Sequence, residues 1–187
     1  PEGRTEFEYL YQLCHDNLPR RYKTLTGRLL EQLGHELNII EKTGLAGYFL
    51  LMWDVVRFAR EQGIRCQGRG SAANSVVAYL LGITNVDPIA NNLLFERFLS
   101  EERASMPDID VDFAASRREE VIQYVYATYG LAHTAMVSTI ITFQARSALR
   151  DAGKALDLPA QEIERLGKLL DTRSATQAAR LLRDELP

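Results

Sequence analysis

Met106-Pro107-Asp108-Ile109-Asp110-Val111-Asp112-Phe113 is the stretch on which the reading of this chain turns. Three carboxylates alternate with apolar residues directly after a proline. In an extended strand, side chains at i, i+2 and i+4 share one face. Asp108, Asp110 and Asp112 are therefore expected on one side, with Ile109, Val111 and Phe113 anchoring the other side in a core. Like charges this close repel, and ionised carboxylates resist desolvation, so such a row calls for cations. Hard carboxylate oxygens suit Mg²⁺ or Mn²⁺, with substrate phosphates completing the coordination. A solvated, Asp-rich edge strand is the alternative, and the apolar alternate face weighs against it.

Upstream, Ile64-Arg65-Cys66-Gln67 is short and β-prone. It is followed by Gly68-Arg69-Gly70-Ser71-Ala72-Ala73-Asn74-Ser75 and then Val76 to Gly82. This reads as strand, glycine loop and helix, with Ser71 as N-cap and Gly82 at the C′ position. Glycines before a helix start let the backbone approach a ligand, and the N–H groups there attract phosphate. Between Arg57 and Gly70 there are four arginines and one acid, in a chain of net charge −3. That local excess fits an anionic ligand. The loop lacks the Walker A spacing, and Ala73 breaks the G-x-G-x-x-G pattern. A tight turn without a ligand is the plain alternative. Paired with the acidic strand, the loop supplies phosphate donors where the strand supplies metal ligands, as a nucleoside triphosphate with two Mg²⁺ ions requires.

The 187 residues are 46% hydrophobic and 25% charged, ordinary values for a globular protein of one or two domains. No apolar run reaches the roughly 18 residues of a membrane span, so no membrane partner is expected. The N-terminal residues do not read as a signal peptide, and a start at Pro1 suggests a piece of a longer chain or a processed form. Two cysteines, Cys14 and Cys66, do not make a disulfide framework, which points to a reducing, cytoplasmic setting. His15, His35 and His133 lack metal-ligand spacing.

Helical periodicity runs from residue 6 to 43. Pro19 is expected to interrupt it, and a second helix follows from about Thr26 to Lys42 on the stripe Leu29, Leu30, Leu33, Leu37 and Ile40. Tyr48 to Glu61 reads as another helix, with Gly47-Tyr48-Phe49 as core. A short helix is expected at Asn92 to Phe98. A capping box at Ser116-Arg117-Arg118-Glu119 opens a helix that stops at Gly130. Ala135 to Phe143 is β-rich and reads as a strand. Gln144 to Leu186 then reads as a helix, Pro159, a second helix and a last short helix from Thr176, and a composition shift near residue 143 suggests a domain boundary. Arg146, Arg150 and Lys154 fall at i, i+4 and i+8. They form either a solvated face or a contact for a phosphate backbone.

The glycine loop, Leu94-Phe95-Glu96-Arg97-Phe98-Leu99 and Pro107 to Phe113 together closely resemble the palm of bacterial C-family DNA polymerases, the alpha subunit of polymerase III. The likeness covers roughly residues 44 to 158 and continues through Ile140-Ile141-Thr142-Phe143 and Arg150-Asp151-Ala152-Gly153-Lys154. The wording of Cys66 to Ser75 and of Arg117 to Tyr124 resembles the error-prone branch. The resemblance implies an α/β (α+β) fold: a polymerase-beta-like nucleotidyltransferase palm over residues 1–143 and part of a helical thumb over 144–187. It puts Gly70 and Ser71 on the incoming dNTP, and Asp108 and Asp110 on two Mg²⁺ ions (Mn²⁺ being possible). Asp112 is left behind the pair, although strand geometry keeps it open as a ligand. Arg69, Arg97 and Arg103 are implied partners of phosphate, or of the acidic strand instead.

The implied reaction is two-metal addition of deoxynucleotides to a primer 3′-end, in replication or in repair of damaged DNA. Primer–template DNA is the implied partner, with a sliding clamp and accessory proteins reached through other parts. A third metal-binding aspartate, the fingers and a PHP domain are expected outside these residues, so the isolated piece is expected to be inactive. Two rivals stand beside this reading. One is a nucleotidyltransferase acting on a small molecule or RNA end. The other is a non-enzymatic binding module; a calcium site would need an EF-hand-like loop, which the sequence lacks.

Overall fold

The computed structural model describes residues 3–100, 106–140, 144–170 and 175–185. The chain is mixed α+β, divided into two compact units, residues 1–135 and 136–187.

In the first unit, α1 (Glu6–Arg21) opens with a capping box: Thr5 Oγ1 accepts from the Glu8 N–H at 3.1 Å, and Glu8 Oε2 accepts from the Thr5 N–H at 2.8 Å. Contrary to the sequence expectation, α1 runs through Pro19. The proline lies in the last turn, so its missing N–H costs one bond near the helix end, and the Tyr22 N–H still closes on Leu18 O at 2.9 Å. Helix α2 (Gly27–Lys42) starts at Thr26, whose hydroxyl accepts from the Leu29 N–H. Helix α3 (Ala46–Glu61) follows.

Leu10, Cys14 and Leu18 of α1 meet Leu29, Leu33 and Ile40 of α2 and Phe49 and Val56 of α3 in one core. Burying each of the larger of these side chains contributes about 1.5–3 kcal/mol. The short helix α4 (Val76–Leu80) is sunk into this core, with Val76, Val77 and Ala78 fully buried. Phe95 and Phe98, edge-on to each other at 6.1 Å, close it from the Phe95–Arg97 3₁₀ turn. That single turn stands where the sequence suggests a helix over 92–98.

The strands β1 (Cys66–Arg69) and β2 (Asp110–Phe113) pair antiparallel, Arg69 opposite Asp110 and Gln67 opposite Asp112. Helix α5 (Arg118–Tyr129) packs on α3 through Val121, Val55 and Ala59. The rings of Phe58 and Tyr124 stack at 3.9 Å. Asp54 accepts from both Tyr124 Oη (2.6 Å) and Tyr129 Oη (2.9 Å) and pairs with Arg57 at 2.6 Å. Burial opposes its charge, yet these donors outweigh burial and hold its carboxyl below the usual range. The expected capping box at Ser116 does not form. Arg117 takes the N-cap position without a side-chain cap. Its guanidinium reaches Glu120 at 2.7 Å and Gln62 O at 2.8 Å, a stronger charge-assisted set. Helix α5 ends at Gly130, φ +80°, as expected.

Residues 135–140 form no strand, and the rest of that expected strand, 141–143, lies outside the described residues. The β-prone side chains Val137 and Ile140 are exposed there, so no burial rewards pairing. In the second unit, α6 (Ala145–Ala155) and α7 (Ala160–Leu169) cross closely at Gly153, where an added Cβ would lie 2.8 Å from Ile163 Cγ1. Helix α8 spans Ala175–Glu185.

Candidate functional site

The site is built on the β1–β2 pair. Gly68 sits against the backbone leaving α4: its N–H donates to Ile83 O at 2.8 Å, and a Cβ there would lie 2.5 Å from that oxygen. Only glycine permits this approach. Two residues on, Gly70 adopts φ +68° and swings the chain out of β1 into a 3₁₀ turn, Gly70–Asn74. An added Cβ at Gly70 would meet Asp110 Oδ2 at 3.5 Å. Glycine loop and acidic strand are therefore adjacent.

Along the acidic stretch the alternation read from the sequence is present: Asp108, Asp110 and Asp112 are exposed, Ile109 is buried, and Val111 and Phe113 are half-buried. The strand itself begins only at Asp110. Asp108 precedes it, and the intervening Ile109 N–H donates to Tyr48 Oη at 3.1 Å. Burial raises the Tyr48 phenol, and the Asp108 and Asp110 charges raise it further, so all three groups are close enough to interact. Asp112 faces another partner, Arg69 Nε at 3.2 Å. Both side chains are nearly two-thirds exposed, so the pair contributes at most about 1 kcal/mol. Of the alternatives open for Arg69, the bond to the acidic strand is the one present.

Ser71 is half-buried in the 3₁₀ turn. It does not cap a helix, as its place before Val76 to Gly82 suggests. Ser75 does so, its Oγ accepting from the Ala78 N–H at 3.0 Å. The cause is Gly70, whose left-handed turn uses residues 70–74 before helical geometry can start. Arg97 is exposed on its own 3₁₀ turn, which contacts the Gly70–Asn74 turn. Arg103 lies outside the described residues.

Among the described residues, no three His, Cys, Asp or Glu side chains converge as a metal cage. The donor set nonetheless suits Mg²⁺, which keeps several waters and takes one or two carboxylates plus substrate phosphates. Among the described residues, Asp108 and Asp110 have no cation paired with them.

Two residues that bear on the candidate site escaped the sequence reading. Tyr48 looked like plain core. Glu36 is fully buried beneath the loop: its Oε2 accepts from Ser75 Oγ (2.8 Å) and the Val77 N–H (3.1 Å), and its Oε1 from the Val76 N–H (2.9 Å) and Gln32 Nε2 (3.2 Å). Burial pushes its carboxyl up to about 7 against these four donors. Its place in the stripe Leu29, Leu33, Glu36, Ile40 was the available signal. Leu30, assigned to that stripe, is exposed.

In the second unit, Arg146, Arg150 and Lys154 do share a face. With Lys168, Leu158 and Ile163 they line a groove of about 550 Å³.

Fold and site thus define a mixed α+β chain that sets a glycine turn against a carboxylate pair. Residues 8–186 match the family model of the bacterial DNA polymerase III alpha NTPase domain, and the chain belongs to that family. It is 56% identical over 168 residues to an error-prone DNA polymerase of Symbiobacterium thermophilum, covering 90% of this chain and 16% of that protein. It is 60% identical over 141 residues to one of Anaeromyxobacter dehalogenans, 75% of this chain and 12% of the relative. With one of Rhodopirellula baltica, identity is 49% over 175 residues, 93% and 15% of the two chains. The chain therefore spans about a sixth or less of the length of these relatives. Among the described residues no helix is long and apolar enough to cross a membrane.

Proposed function

We propose that residues 1–143 form part of a polymerase-beta-like nucleotidyltransferase palm, and residues 144–187 part of a helical thumb, of an error-prone DNA-directed DNA polymerase. The observation that carries this reading is that a Cβ added at Gly70 would lie 3.5 Å from Asp110 Oδ2, which puts a phosphate-type turn beside the acidic strand.

Asp108 and Asp110 hold the divalent ions. Bound Mg²⁺ would supply acidity at the primer 3′-hydroxyl and charge neutralisation at the departing pyrophosphate. Gly70 gives the dNTP phosphates access to the backbone, because no side chain stands between them and the turn. Ser71 donates its hydroxyl to a phosphate oxygen. Arg97 and Arg103 offset triphosphate charge. Arg69 and Asp112 brace each other across the strand pair and keep β1 in register behind the pair of carboxylates. Arg146, Arg150 and Lys154 meet the phosphate backbone of primer–template DNA. The sliding clamp and accessory proteins bind through other parts of the polymerase, and the two free cysteines fit a cytoplasmic setting.

The test is Mg²⁺-dependent dNTP binding to the complete polymerase. Ser71→Ala removes one charge-assisted bond and weakens affinity roughly fivefold. An unchanged affinity removes Ser71 from the phosphate site.

A further inference from the structure

A second cationic feature lies apart from the strand pair. The last turns of α1 and α3 and the end of α4 enclose a groove of about 480 Å³ whose lining includes Arg20, Arg21, Trp53, Arg57, Arg60 and one acid, Glu61. Two of its guanidinium groups close on one glycine. A Cβ on Gly82 would lie 2.6 Å from Arg60 Nη1 and 3.1 Å from Arg21 Nη2. Neither cation is neutralised. Arg60 donates to Gly82 O and, at 3.4 Å, to Asn85 Oδ1, both uncharged. Arg21 lies over the Tyr79 ring at 4.8 Å. The charge of Arg57 is paired with Asp54 and Glu61. Among the described residues, Arg20, Arg21 and Arg60 have no carboxylate partner. Like charges gathered on neutral atoms repel each other, and an anion between them reverses the sign.

We propose that this groove binds the phosphodiester backbone of single-stranded nucleic acid. Its shape favours a chain over an isolated phosphate. Arg60 also lines the neighbouring cavity with Arg65, Gln67, Asn85 and Asp112, where two cations stand against one carboxylate, so positive charge continues from one hollow to the next. Trp53, half-buried in the wall, offers an aromatic surface beside the phosphate track. The inference goes beyond the nucleotidyl-transfer reading, and the groove of Arg20, Arg21 and Arg60 is lined by none of its site residues.

Trp53 is the single tryptophan of the chain, so its emission reports this groove. Oligo(dT) is titrated into the 187-residue chain in EDTA at several NaCl concentrations. Saturable quenching of Trp53 is expected. Its log affinity falls linearly with log salt, by about 0.7 in slope for each phosphate neutralised. The Arg21→Gln/Arg60→Gln double variant weakens quenching up to about fivefold per arginine removed and flattens the slope correspondingly. Arg21→Lys/Arg60→Lys restores most of it, and Arg4→Gln/Arg118→Gln, an equal charge change elsewhere, leaves it unchanged. Circular dichroism of every variant matches the parent. Quenching that is absent, or that the double glutamine variant leaves intact, overturns the proposal. So does pyrophosphate binding that depends on Arg21 and Arg60 while oligo(dT) gives no quenching. Asp108→Ala leaves this signal unchanged, so failure here and failure of the polymerase reading are separable.

Discussion

Glu36→Gln isolates the one carboxyl that is fully buried among the described residues. Burial lifts this group from the ordinary 4.5 to about 7 in the folded state. That gap, at about 1.4 kcal/mol per pH unit, is worth roughly 3 kcal/mol. The folded state holds the proton more tightly than the unfolded state. Below pH 4.5 both states are protonated and there is no penalty. As pH rises toward 7 the unfolded chain ionises first and stability falls. Above 7 the loss is complete and flat. Glutamine cannot ionise, so stability of the wild type relative to Glu36→Gln should drop by roughly 3 kcal/mol between pH 4.5 and 8. A constant offset accompanies this, because the glutamine NH₂ must face donors such as the Val77 N–H and the Ser75 hydroxyl. Urea unfolding followed by Trp53 emission, which reports the first unit, gives the difference at each pH. A difference that stays level across the range would refute the reasoning. It would mean that the four donors keep Glu36 ionised throughout.

Two further substitutions probe the scaffold of the site. Gly68→Ala drives a Cβ into Ile83 O and should destabilise the first unit by about 1–3 kcal/mol, read as a lowered thermal midpoint; an unchanged midpoint would mean that β1 shifts freely. Tyr48→Phe deletes the acceptor of the Ile109 N–H between Asp108 and Asp110, costing about 1–3 kcal/mol in urea unfolding and raising the Mg²⁺ concentration needed for half-maximal primer extension by the complete polymerase.

The alternation Asp-Ile-Asp-Val-Asp-Phe was legible because its period of two is a local property that burial then enforces. The helices α2 and α3 were legible for the same reason, through their apolar stripes. What escaped depends on contacts distant in sequence. Ser71 and Ser75 are equally good caps locally, and only the left-handed Gly70 decides between them. The capping box at Ser116 gives way to Arg117 as N-cap, whose guanidinium donates to Gln62 O, 55 positions away. The β-prone residues at 135–140 find no strand to pair with. Glu36 was hidden because a carboxylate in an apolar stripe makes sense only once the buried amides of α4 stand above it.

The central claim is that Asp108 and Asp110 act as one cation-binding pair beside the Gly70 turn. Primer extension by the complete polymerase carrying Asp110→Ala, with its melting temperature recorded alongside, tests it most directly. The account predicts extension at background with unchanged melting; extension near the wild-type rate would contradict it.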